Sequence, residues 1–110
     1  MRAVIMTPDR EKLLPRIYRE IVFGSTAHAS LSYRSGGYKL SNAIELPFEG
    51  DKESPDWEKQ QRDFAEACFE HTALDEDWLK QGKKCVSVGD VIAIADGSDW
   101  YCAPTSWEKL

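Results

Sequence analysis

Long apolar runs and an even set of cysteines are missing from this sequence, histidine is limited to His28 and His71, and the first two shortages each remove a class of protein. No stretch approaches the roughly 18 consecutive apolar residues that a membrane-crossing helix needs. The apolar start from Met1 to Met6 is broken at once by Thr7-Pro8-Asp9-Arg10, so no signal-peptide core is expected either. Three cysteines, at positions 68, 85 and 102, do not supply the even framework of a small disulfide-stapled secreted domain, and reduced thiols in the cytoplasm are the simpler reading. Gly36-Gly37 and Gly97 lack the spacing of a phosphate-cradling loop, and no lysine and serine follow them as a nucleotide site requires. There is no internal repeat and no low-complexity segment.

What is present suits one folded unit. A chain of 110 residues, 42% hydrophobic, 30% charged and 11% aromatic, builds one hydrophobic core and is too short for two, so a single domain over residues 1–110 is expected. Its charge is unevenly placed. Residues 1–48 carry seven Lys/Arg against four Asp/Glu (net +3), residues 49–77 carry three against eleven (net −8), and residues 78–110 carry four of each. The concentrated acidic segment disfavours phosphate-backbone binding through that surface and favours basic partners.

Patterning along the chain predicts an α+β fold, a small antiparallel sheet packed on one main helix over about residues 55–71, with a C-terminal β-hairpin. Arg2 to Met6 reads as a first strand. Leu13, Leu14, Ile17, Tyr18, Ile21 and Val22 recur at helical spacing, predicting a helix from about Leu14 to Val22 with Pro15 in its first turn and Gly24 at its end; a strand at Ile17 to Phe23 is the competing reading. Around Gly36-Gly37, the alternation of Leu31 and Tyr33 and then of Tyr38 and Leu40 predicts a hairpin. Asn42 to Phe48 reads as a further strand ending near a sheet edge at Pro47. Ser54-Pro55-Asp56 is a strong helix start, and the helix that follows has the apolar stripe Trp57, Phe64, Ala65, Cys68 and Phe69. Asp75 to Gln81 reads as a short helix with Trp78 and Leu79 inward and Gly82 ending it. Val86 to Ile94, the turn at Asp96-Gly97-Ser98-Asp99 and the return Trp100-Tyr101-Cys102 form the clearest β structure.

Several groups of residues invite a chemical reading. Cys68, His71, Cys85 and Cys102 are enough ligands for a tetrahedral metal, but the last two are single residues in separate apolar stretches and lack the paired spacing of a zinc knuckle. Buried structural thiols are the better account. Cysteine catalysis is disfavoured because Asp63, Glu66, Glu70, Asp75, Glu76 and Asp77 crowd Cys68 and His71, and carboxylates raise a thiol pKa. General acid–base work by Glu66 and Glu70, or by Asp75 and Asp77, is matched by many equivalent acids, which read better as a solvated face. In the first 40 residues, Arg16, Arg19, Tyr33, Arg34, Tyr38 and Lys39 are the types that pair and stack with single-stranded nucleic acid. Trp107, near the C-terminus, either closes the core or stands at a contact surface.

The segment from about residue 64 to 110 resembles the YodL-like family of small domains encoded on phages, plasmids and other mobile elements. The likeness lies in Phe69-Glu70-His71-Thr72, in Lys84-Cys85-Val86-Ser87-Val88-Gly89-Asp90-Val91-Ile92, and in Trp100-Tyr101-Cys102 with Ser106-Trp107. Lys84-Cys85-Val86 departs from the family's Arg-Ser-Leu, and Ser106 replaces a glycine before an aromatic. The resemblance implies a mobile-element setting and no assigned enzymatic activity, and it carries over no catalytic residue.

Together these readings predict a non-enzymatic, cytoplasmic, acidic protein-binding module without metal or cofactor. Its partner is expected to be a basic host protein, of a defence or nucleic-acid-handling machine, inhibited by occupation of its basic surface and engaged through Asp63, Glu66, Glu70, Asp75, Glu76, Asp77 and Trp107. The alternative is a small nucleic-acid-binding accessory protein using the N-terminal basic and aromatic region.

Overall fold

A computed structural model describes residues 1–110. Five strands form one sheet in the order β2-β1-β3-β4-β5, every neighbouring pair antiparallel: β1 Arg2–Pro8, β2 Tyr38–Glu45, β3 Val91–Ile94, β4 Asp99–Cys102 and β5 Trp107–Lys109. Helices α1 (Pro15–Val22) and α2 (Thr26–Arg34) join β1 to β2, and α3 (Trp57–Leu74) and α4 (Glu76–Lys80) join β2 to β3. The chain is therefore α+β, with one main helix and strands at its C-terminus.

Strand alternation sends side chains to opposite faces of the sheet, and each face meets its own helices. Ala3, Ile5, Ile44, Ile92, Ile94, Trp100 and Cys102 pack against Phe64, Ala65 and Cys68 of α3 and Trp78 of α4. On the other face, Tyr38, Val91 and Tyr101 pack against Ile21 of α1 and Ala29 of α2. Two tyrosine hydroxyls tie the second face down. Tyr101 donates to the Ile21 carbonyl (2.5 Å) and Tyr38 to the Gly89 carbonyl (2.6 Å).

The helix reading of residues 14–22 holds, with Pro15 in the first turn and Gly24 just past the end at φ +111°. A side chain at Gly24 would also press on Pro104, 2.8 Å from where its Cβ would sit.

The hairpin expected around Gly36-Gly37 does not form. Ser25 caps a helix there, its side chain accepting from the His28 N–H at 3.3 Å, and the helix runs to Arg34. The buried residues of α2 are the small Ala29 and Ser32, whereas Leu31 is 69% exposed. Small inward residues let α2 approach the sheet, and an outward leucine produced the misleading alternation. Tyr38 and Leu40 do lie in a strand, β2, which pairs with β1 through a bulge.

The strand expected to reach Phe48 ends at Glu45. Beyond it, the Leu46 and Phe48 carbonyls accept from the Met1 amine at 3.0 and 2.8 Å, and both side chains lie against the α3-side core. The main helix starts at Trp57 and runs three residues past His71, with Thr72 buried on its last turn. Leu79 is exposed, so only Trp78 of α4 packs inward.

Val86 to Asp90 is not strand. Gly89 adopts φ +102°, and the Asp90 carboxylate accepts from the Ser87 N–H (2.9 Å) and from Lys84 Nζ (2.6 Å). This knot delivers Val91 into β3. Strand β5, which no pattern announced, pairs Trp107 with Cys102, Glu108 with Tyr101 and Lys109 with Trp100.

Candidate functional site

The expected acidic residues fall on the outer side of α3 and on α4. Asp63, Glu66 and Glu70 are spaced three and four apart, so one helical stripe carries all three, and each is exposed. Their neighbours differ. Asp63 is bound by Lys59 at 2.8 Å, and Glu66 accepts from the indole N–H of Trp107 at 2.8 Å. Glu58, one turn before them, is held by Lys109 at 2.7 Å, and that ion pair keeps its carboxyl below the usual range.

Asp75 serves the fold by accepting from the Trp78 N–H at 2.9 Å as the cap of α4, with His71 Nδ1 at 3.9 Å from its carboxylate. Glu76 and Asp77 follow in the first turn of α4, exposed and in no ion pair, as is Glu70. Acids there are favoured by the positive end of the helix dipole. Of the six acids read from the sequence, Glu70, Glu76 and Asp77 are the ones whose carboxylates take part in no ion pair or side-chain hydrogen bond within the chain.

Trp107 closes the core in part. It is half-buried, packs against the α3-side core, and fastens β5 to α3 through Glu66.

The thiols and histidines do not assemble a chemical site. Burial pushes the Cys68 and Cys102 thiols up to about 12, so at neutral pH neither is a thiolate nucleophile. Cys85 donates to the Thr72 carbonyl at 3.0 Å. His71 meets Trp78 edge-on, ring centroids 5.9 Å apart, and Lys83 covers the same indole at 4.6 Å. No three His, Cys, Asp or Glu side chains come together as metal ligands.

The N-terminal basic and aromatic set is also dispersed. Tyr38 is buried and stands edge to Tyr33, centroids 5.4 Å apart, so it presents no free ring face for a base. Arg16, Arg19, Arg34 and Lys39 are exposed.

Two features were invisible in the sequence. Gln61, within the buried face of α3, accepts from the Ser98 N–H (2.6 Å) and the Trp100 indole (3.2 Å), locking the β3–β4 turn to the helix. Arg10 lies over the ring of Tyr18, 4.7 Å from its centroid. Neither a polar residue in an apolar stripe nor an eight-residue separation announces such a contact.

No helix is long and apolar enough to cross a membrane. Comparison with protein-family models, curated proteins and solved structures gives no match.

Proposed function

We propose that the protein acts by binding, presenting the outer side of α3 and α4 to a basic surface on a partner protein. The observation that carries this is that Glu70, Glu76 and Asp77 are exposed and unpaired, whereas Asp63, Glu58, Glu66 and Asp75 are each bonded within the chain. Unpaired carboxylates on a rigid helical layer steer a cationic partner and reject an anionic one. The raised thiol pKa values of Cys68 and Cys102 support a non-enzymatic reading, and three free cysteines support a reducing, cytoplasmic setting. With the mobile-element setting that the C-terminal resemblance implies, the partner is a basic nucleic-acid-handling protein of the host, inhibited when its binding surface is occupied.

The test is capture from host lysate by the tagged chain, washed at low and then moderate salt, with mass spectrometry of what remains. One basic protein should be recovered by the native chain and lost with Glu70→Lys, Glu76→Lys and Asp77→Lys combined. Recovery of nucleic acid alone, or capture indifferent to the charge reversal, overturns the reading.

A further inference from the structure

Away from the acidic layer, α1 and the loop before it enclose a groove of about 370 Å³ lined by Arg10, Leu13, Pro15, Tyr18, Arg19 and Val22. That volume lies within the roughly 300–1,000 Å³ of small-ligand sites. Its composition is specific: two guanidinium groups at an otherwise apolar and aromatic wall. Neither Arg10 nor Arg19 takes part in an ion pair, although the chain has acids in excess.

Arg10 is held in place despite having no anion. Its guanidinium carbon lies over the ring of Tyr18, 4.7 Å from the centroid, a cation–π contact, and its guanidinium N–H groups make no hydrogen bond or ion pair within the chain. An arginine positioned over a ring loses less side-chain freedom when it grips an oxyanion, and its fork suits two oxygens at once. A second arginine alongside favours a ligand with more than one negative charge, and a phosphate monoester carries close to two at neutral pH. No side chain caps the first turn of α1, where Pro15 stands, so that end of the groove adds no competing carboxylate or hydroxyl.

We propose that this groove binds a small phosphate monoester carried on a flat apolar body, with Arg10 and Arg19 gripping the phosphate and Leu13, Pro15 and Val22 lying against the body. The site is independent of the acidic layer on α3 and α4, and neither proposal depends on the other.

The experiment is an amide chemical-shift titration of the full chain with AMP and, in parallel, with phosphotyrosine, using inorganic phosphate alone as the weaker reference. Saturable shifts confined to residues 10–22 are expected with at least one organic phosphate. A tighter fit by AMP assigns a nucleotide, and a tighter fit by phosphotyrosine assigns a phosphorylated side chain. Arg10→Ala and Arg19→Ala should each weaken binding roughly tenfold, the scale of one charge-assisted hydrogen bond. Tyr18→Phe should keep binding because it keeps the ring, whereas Arg34→Ala, outside the groove, should change nothing. Absence of saturation with both compounds, shifts spread equally to Arg34 and Lys39, or an Arg10→Ala variant that binds normally would each overturn the proposal. The arginine variants change exposed residues and retain the fold, so the result does not hinge on a damaged protein.

Discussion

The two faces of the sheet are held by different physics. Against α3 and α4 the sheet buries twelve residues, among them Phe64, Ile92 and Trp100. Against α1 and α2 it buries five; the Tyr101 hydroxyl fastens α1 through the Ile21 carbonyl, and Tyr38 ties β2 to the loop before β3 through the Gly89 carbonyl. One layer is secured by apolar bulk, which is non-directional and large. The other is secured by less apolar area, with one directional bond from Tyr101 to α1 and the small Ala29 of α2 against the sheet. The consequence for function is that the acidic face is a rigid platform, while the arginine groove rests on the more lightly held layer.

Phe64→Ala should break this contrast hardest. Phe64 is fully buried beside Phe48, ring centroids 5.6 Å apart, and its truncation should cost about 3–5 kcal/mol in urea unfolding.

Alkaline titration sharpens the comparison next, because the two faces carry different titrating groups. On the α3 face, burial holds Cys68 and Cys102 protonated to about 12, against an ordinary 9.0. The unfolded thiols lose their protons first, so this stability is whole below pH 9 and is lost as pH rises toward 12, at about 1.4 kcal/mol per pH unit for each thiol. The tyrosines of the other face join only above their ordinary 10.0; burial raises Tyr101 to about 12 and Tyr38 further. Urea midpoints measured from pH 8 to pH 11 should therefore begin to fall before pH 10, and Cys68→Ala with Cys102→Ala should remove that early part of the slope. An unchanged slope in the double variant would refute the assignment.

Gln61→Leu should cost about 2 kcal/mol, since it strands the Ser98 and Trp100 donors in the interior; hydrogen exchange should quicken at the β3–β4 turn. Tyr101→Phe should cost about 1 kcal/mol, with exchange quickened in α1 and not in α3. If α3 loosens equally, the two faces are not separately held. Smallest of all, the lysine reversals should each shift stability by less than about 1 kcal/mol, with Glu70 below about 0.5 kcal/mol as an exposed substitution and Glu76 and Asp77 costing more because they sit in the first turn of α4.

Legibility in the sequence followed the same division. The α3 side was readable because Phe64, Ala65 and Cys68 repeat at helical spacing and Ser54-Pro55-Asp56 announces the start. The α2 helix was not, because Ala29 and Ser32 are its buried residues and Leu31 points outward. Val86 and Val88 looked like strand, yet Gly89 with a positive φ and the carboxylate of Asp90 turn the chain before β3 begins. The acids of the candidate surface were all nameable from the sequence. Which of them were spent on Lys59, Trp107 and the cap of α4 was not, since Glu66 and Trp107 are 41 residues apart.

By itself the sequence determined the α+β class, the main helix, the β3–β4 hairpin and the concentration of acid in residues 49–77. These follow from local periodicity, turn chemistry and charge, all of which act over a few neighbouring residues. Only the tertiary structure decided the strand order, the addition of β5, the partnering of each carboxylate and the meeting of Arg10 with Tyr18. Those depend on which distant surfaces close on one another, and a short stretch of chain carries no record of its partner across the sheet.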